Sequence, residues 1–307
     1  MQSGVTDKLA AMTDTSTPPS WRAHMAILHE LDRKQLFFVD GQPRSGTTWL
    51  QQLLNAHPEI SCQGEAQFRD HLAVPIDTAM RQRHAALHER NTSIFAHTGG
   101  YPLPVADDTQ FLLGTAMLQA FARQVAGRAV KAVGEKTPGN LFFFPQLSSL
   151  FPEAKLISIA RDPRDVISSA WHRFQKRPGS TEADLASFVH RVLPMADRWT
   201  RAMLDAPALH GDRFVLITFE ALLRDPVSVL CGLFRFLGVS GDEALAEAAL
   251  AAADFRSQTG RAPGEALDGA FHRRGIAGDW RDTLPPALNE LVLDRLGWSF
   301  PRFGWRP

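Results

Sequence analysis

The run Gly41-Gln42-Pro43-Arg44-Ser45-Gly46-Thr47-Thr48 has the composition of a phosphate cradle. Gly41 and Gly46 permit a tight turn and close backbone approach to an anion. The apolar run Leu36–Val39 before it reads as a strand, and a helical pattern starts at Thr47. A strand, loop and helix in that order aim loop amides and a helix N-terminus at one point. The Gly-x-x-x-x-Gly spacing matches nucleoside-triphosphate loops, but those continue with Lys and then a Mg²⁺-holding Ser or Thr. Here Thr47 takes the Lys position and the basic residue is Arg44, inside the loop. The loop therefore suits a phosphate whose transferring end carries less charge than a triphosphate. A nucleotide kinase or NTPase using the same loop is the competing enzyme class, and a non-catalytic nucleotide-binding protein of the same fold is the third reading.

Further chemistry is spread along the chain. Arg161 ends an apolar run, and Ser169 lies two turns into the following helical pattern. Arg273, Arg274 and Gly275 form a second basic cluster in a Gly-rich stretch. Glu135, beside Lys136 at a strand end where α/β enzymes place function, is a candidate base. Glu59 reads as a solvated turn residue and His57, before Pro58, as a turn stabiliser. His84 and His88 stand four apart, but no third ligand is evident, and no metal site is expected.

The elements that must hold these groups alternate. Short apolar runs at Leu36–Val39, Val130–Val133, Lys155–Ala160 and Phe214–Phe219 resemble strands buried on both faces, which favours a mainly parallel sheet. Asp162-Pro163 and Asp225-Pro226 each offer a capping Asp followed by Pro at the first helical position, and Gly238 closes the second of those helices. The expected fold class is α/β, a central parallel sheet flanked by helices. Residues 1–20, rich in Ser, Thr, Asp and Pro, read as a flexible tail, and 21–307 as a single domain. Residues 68–127 read as a helical insertion between the first two strands, a cap shaping a substrate cleft, and 255–282 as a lid.

Composition limits the function further. The chain has 307 residues, 44% of them hydrophobic, and a formal net charge of zero. No global field draws it to nucleic acid, so anion binding must come from local clusters. Cys62 and Cys231 show no metal spacing and are expected to be reduced. No apolar run approaches the roughly 20 residues of a membrane span. Without a signal-peptide pattern, a cytoplasmic protein is expected, with no integral membrane association.

Four blocks carry a family resemblance. Pro43-Arg44-Ser45-Gly46-Thr47-Thr48-Trp49-Leu50 resembles the 5′-phosphosulfate loop of sulfotransferases that use 3′-phosphoadenosine-5′-phosphosulfate (PAPS). The block from Ala160 to Ser169 is similar to their 3′-phosphate site, with Arg161 and Ser169 in the binding positions. Phe271 to Trp280 is similar to their Arg-Lys-Gly…Gly-Asp-Trp segment, with Arg273, Arg274 for Lys, and Gly275. Thr218 to Pro226 resembles the segment beside the adenine, with Phe219 in the Tyr position. The resemblance implies a P-loop NTPase-like sulfotransferase fold, PAPS as donor and 3′-phosphoadenosine-5′-phosphate (PAP) as product. Trp49, Phe219 and Phe255 are then candidates to flank the purine.

The cytosolic phenol and steroid enzymes carry a Lys-Thr-His-x-Pro segment whose His is the base; this chain has Glu135-Lys136-Thr137-Pro138 instead. The run Ala56-His57-Pro58-Glu59-Ile60…Cys62…Gly64-Glu65 resembles the tyrosylprotein and carbohydrate sulfotransferases. That style places Glu65 as general base and Lys136, with Arg44, on the leaving side. The acceptor is expected to be a hydroxyl, or less readily an amine, of a small molecule, glycan or lipid precursor lying against residues 68–127 and 174–205. A homodimer is left open.

Overall fold

The computed structural model describes residues 21–176, 178–262, 264–265, 267 and 274–307. Its sheet holds five parallel strands among the described residues: β1 (Gln35–Gly41), β2 (Ile60–Gln63), β3 (Ala132–Lys136), β4 (Lys155–Ala160) and β5 (Phe214–Thr218). Their order is β2-β3-β1-β4-β5, so β1 lies between β3 and β4 and the winding reverses there. In such sheets the crevice beyond the carboxyl ends of the strands is the place for a ligand.

The strands are apolar on consecutive residues because both faces are covered. Leu36, Phe38, Val133 and Leu156 face one core with α1 (Trp21–Asp32), α4 (Ala106–Val125), α5 (Asn140–Leu150) and α7 (Glu182–His210). Phe37, Val39, Ile60, Ile157 and Ile159 face the other, with α2 (Thr47–Asn55), α9 (Pro226–Phe236) and α10 (Glu243–Ala252). A third cluster joins α6 (Pro163–Ala170) to α7 and α12 (Pro286–Leu296) through Ile167, Leu185, Val189 and Val292.

The expected caps are present. Asp162 accepts from Arg164 N at the start of α6, and Asp225 accepts from Ser228 N at the start of α9. Past α9, Gly238 has φ 74°. Arg164 is almost wholly buried: it pairs with Asp162 at 2.7 Å, and its guanidinium lies over Trp280 and Phe300 at 4.1 and 4.7 Å. It anchors the C-terminal segment and takes no part in the crevice.

Three expectations need correction. The strand expected at Val130–Val133 starts at Ala132 and runs to Lys136, because Val133, Gly134, Glu135 and Lys136 keep the register with Leu36 to Val39. Strand β2 carries no strong apolar run of its own, so the helical insertion follows β2 and does not sit between the first two strands in sequence. Glu59 is not a solvated turn residue: it accepts from Ser240 N at 3.1 Å and pairs with Lys131. His57 does hold the turn. Its Nδ1 accepts from Glu59 N, leaving Nε2 to donate to Ser240 O. The insertion itself comprises a short π turn at Arg69–Ala73, α3 (Val74–Ser93) and α4. Helix α3 has no fully buried residue, and Ile76 near its start packs against the first core. Among the described residues no helix is long and apolar enough to cross a membrane.

Candidate functional site

Every strand sends a residue from its carboxyl end to one crevice. The loop after β1 sends Arg44 to Trp49, the turn after β2 sends Glu65, and β3 ends in Lys136. Arg161 follows β4, and Phe219 follows β5. These residues, apart from Ser45 and Lys136, line a cavity of about 660 Å³ together with Ser169, Phe174, Leu223, Leu250, Phe255, Arg274 and Gly275. That volume lies within the usual range of small-molecule sites.

The loop is tightly determined. A Cβ at Gly41 would lie 2.6 Å from Ser45 Oγ and 2.7 Å from Ile159 O. At Gly46, with φ 98°, a Cβ would strike the Phe219 ring at 2.7 Å. Only glycine fits at these two places. Arg44 also has a left-handed backbone, φ 78°, an uncommon and strained state for a side-chain-bearing residue. The first turn of α2 leaves N–H groups without helical acceptors, directed out of the sheet's carboxyl edge.

Three cations converge on this loop. Arg161 Nη1 donates to Arg44 O at 3.1 Å, holding the strained peptide, and its Nη2 donates to Ile276 O at 2.8 Å. Asp165 stands 3.7 Å away, and the guanidinium lies 4.4 Å over the Phe219 ring. Arg44 Nε donates to Ser169 Oγ at 3.1 Å. Burial, then repulsion from Arg161 and Arg173, lowers the Arg44 guanidinium to about 10. A guanidinium shifted this way gains from an anion placed among the three. Ser45 Oγ, Arg161 Nε and Arg274 Nε are buried with no hydrogen-bond partner among the described residues. Orphaned donors of this kind are costly unless a ligand meets them.

Glu65 and Lys136 stand together: Lys136 Nζ donates to Glu65 Oε1 at 2.6 Å. The Lys136 side chain is 5% exposed and the Glu65 side chain 41%. The carboxylate is therefore accessible and the ammonium sits behind it. Glu135 does not compete as a base. It is buried, and both of its oxygens are occupied by Ala66 N, Thr137 Oγ1 and Asn140 Nδ2.

Other expected residues are placed differently from the simplest reading. Arg161 and Ser169 do not form a subsite apart from the loop; both bond to Arg44, so the two anion positions share one cluster. Arg274 Nη1 is paired with Asp279 and Asp282 at 2.7 and 2.5 Å, so its charge is partly offset on the cavity wall. Asp165 holds the segment beyond Arg274, accepting from Gly278 N and Trp280 N. Burial pushes the Asp165 carboxyl up from its ordinary value. Phe271, His272 and Arg273 lie outside the described residues. Trp49 meets Phe219 edge-on at 5.8 Å between ring centres, and Phe255 packs against Gly275. Phe219 is buried, and the Arg161 guanidinium covers its ring. Phe174 belongs to the cavity wall, but no described residue of 68–127 does, so the expectation that the insertion walls the cleft is not met by this cavity. The rings of His84 and His88 stack 6.3 Å apart, and among the described residues no three His, Cys, Asp or Glu side chains group as metal ligands. Both cysteines are free and buried.

A parallel α/β sheet with a phosphate loop after its central strand and a basic cluster on the next strand is the sulfotransferase-type nucleotide fold. The chain belongs to the sulfotransferase family, whose sequence pattern matches residues 37–243. It is 28% identical over 218 residues to protein-tyrosine sulfotransferase 1 of Danio rerio, covering 68% of this chain and 55% of that protein. It is 34% identical over 190 residues to sulfotransferase 2B1 of Rattus norvegicus, covering 55% of this chain and 54% of that one. The chain thus spans about half the length of these curated relatives. In fold it is similar to mouse sulfotransferase SULT7A1 complexed with PAP, with a TM-score of 0.56 at 17% identity over 89% of this chain and 88% of that one. It is also similar to the sulfotransferase domain of the Synechococcus PCC 7002 olefin synthase, with a TM-score of 0.51 at 21% identity over 87% and 94%.

Proposed function

We propose that this protein transfers a sulfuryl group from PAPS to an acceptor hydroxyl, with Glu65 as general base. The observation that carries the reading is one cavity lined by a phosphate loop lacking the NTPase lysine, by Arg44, Arg161 and Arg274, and by Glu65, with Lys136 bonded to Glu65 behind the wall. The residues fit the donor. Loop amides with Ser45, Thr47 and Thr48 would hold the 5′-phosphate. Arg161, Ser169 and Arg274, with Arg273, would hold the 3′-phosphate. Trp49 and Phe255, with the edge of Phe219, offer faces for the purine. When bound, PAPS supplies an activated sulfuryl group, and PAP is what remains after transfer.

The chain's own contribution is positioning and proton handling. The exposed carboxylate of Glu65 accepts the hydroxyl proton as the acceptor oxygen becomes nucleophilic. Lys136, nearly buried behind it, has three donors, so it can keep Glu65 in place and still offer positive charge to a developing oxyanion. Arg44 adds a second cation from the loop. The protein-tyrosine sulfotransferases similar to this chain are named for an acceptor with a phenolic hydroxyl, which supports a hydroxyl acceptor here. Phe174 and Pro138 line the cavity with Glu65 and suit an aromatic or aliphatic alcohol.

Incubation of the purified protein with sulfur-labelled PAPS and a panel of a simple phenol, an alkyl glycoside, a long-chain alcohol and a tyrosyl peptide should yield labelled ester and PAP in equal amounts for at least one acceptor. Phosphoryl transfer from ATP–Mg²⁺ to the same panel, with none of the label moved from PAPS, would assign the loop to a kinase.

A further inference from the structure

Glu135 is a buried carboxylate next to the reacting groups that the proposed reaction does not use. It is 1% exposed, at the end of β3 beside Lys136. Three donors converge on it. Oε2 accepts from Ala66 N at 3.2 Å and Thr137 Oγ1 at 2.7 Å. Oε1 accepts from Asn140 Nδ2 at 2.7 Å, and that amide also donates to Val39 O at 3.1 Å. Thr137 Oγ1 in turn accepts from Gln67 N at 3.2 Å. The two amides that follow Glu65 are therefore held by Glu135 and Thr137. Gln67 has φ 48°, a left-handed backbone that persists only where neighbours over-determine it. The segment bearing Glu65 is otherwise half-exposed and follows a strand of only four residues.

Resting on the assignment of Glu65 as base, we infer that Glu135, through Ala66 N and Thr137, is a positioning residue that fixes the 65–67 turn and so sets the Glu65 carboxylate against Lys136. The same frame reaches β1 through Asn140 and Val39, so base, leaving-side cation and phosphate loop share one hydrogen-bonded support. A carboxylate suits this place because it only accepts. An amide would turn its NH₂ toward Ala66 N and Thr137, or toward Asn140 Nδ2. Burial raises the Glu135 carboxyl, while bonds from Thr137, Asn140 and Ala66 and the charge of Lys136 pull the other way.

The test is a double-mutant cycle of Glu135→Gln with Glu65→Gln, using the panel acceptor turned over fastest, together with PAP calorimetry and amide hydrogen exchange across 64–67. A turn loosened by about 1 Å predicts a kcat roughly 10- to 100-fold lower in Glu135→Gln. PAP affinity should stay within about twofold and exchange at Ala66 and Gln67 should quicken by about tenfold or more, as expected for local opening. In the Glu65→Gln background the same substitution should cost less than about twofold, because residues acting as one unit are not additive. Equal losses in both backgrounds, or unchanged exchange at Ala66, would overturn the assignment. Thr137→Val should reproduce the pattern and Thr137→Ser restore it, which keeps the test available if Glu135→Gln does not fold. Normal turnover in Glu65→Gln alone would remove the base and with it the catalytic meaning of this frame, whereas PAP binding and the exchange data would still report on the donor site and the turn separately.

Discussion

Glu65→Gln should lower kcat by about two to four orders of magnitude, the usual consequence of losing a positioned base, and leave PAP binding within about twofold. The substitution is a mild one structurally. Glutamine keeps an acceptor oxygen for Lys136 Nζ, which in the native protein donates to Glu65 Oε1 at 2.6 Å. The side chain is 41% exposed, so the amide also finds water. What is lost is the ability to take a proton. The loop, Arg161 and the aromatic faces do not touch this residue's proton, which is why donor affinity should persist. Steady-state kinetics with PAPS and the fastest panel acceptor, beside calorimetry with PAP, would check both halves. Near-normal turnover would remove Glu65 from the role. Glu135 could not replace it, because its oxygens are already engaged and buried.

Arg161→Ala should weaken PAP binding by roughly 100-fold or more and weaken AMP binding much less. Hydrogen bonds from a charged donor contribute about 1.5–3 kcal/mol each, and a guanidinium can offer two to one phosphate. In the ligand-free protein the same side chain bonds to Arg44 O and Ile276 O and stacks on Phe219. It therefore links the phosphate loop to the chain at Ile276. Two effects should be separable. If Arg161 holds the 3′-phosphate, selectivity for PAP over AMP collapses. If it only supports the strained peptide at Arg44, both nucleotides lose affinity equally. Arg161→Lys keeps the charge but not the planar fork and should recover only part of the loss. Titration calorimetry of the two nucleotides against the three proteins gives the answer.

The phosphate loop was legible in the sequence because its signals are local. Glycine spacing, the missing lysine and the strand before it all lie within about fifteen residues, and Gly41 and Gly46 prove to be places where no side chain fits. The caps at Asp162 and Asp225 were legible for the same reason. Arg161 and Ser169 were found, but their convergence on Arg44 was not, since it depends on how β4 and α6 sit beside β1. Strand β2 was missed: four residues with two polar side chains carry little periodicity, and pairing with β3 is what makes them a strand. The buried pairing of Arg164, the neutralising of Arg274 by Asp279 and Asp282, and the support of Glu65 by Glu135 are all tertiary. Each joins a group whose type is ordinary in sequence to a partner that only the fold brings near. Glu135 illustrates the point most clearly, because its position beside Lys136 suggested a second base and its three donors show a support instead.

The binding preference of the ligand-free protein bears most directly on the central claim, since it does not depend on knowing the acceptor. Calorimetric titration with PAP, AMP and ATP–Mg²⁺ under one buffer condition should give PAP the tightest binding. It should exceed AMP by about 100-fold or more, the worth of at least two charge-assisted hydrogen bonds to the 3′-phosphate, and ATP–Mg²⁺ should bind no better than AMP. Equal affinity for PAP and AMP, or a preference for ATP–Mg²⁺, would contradict the reading of this cavity as a 3′-phosphorylated nucleotide site.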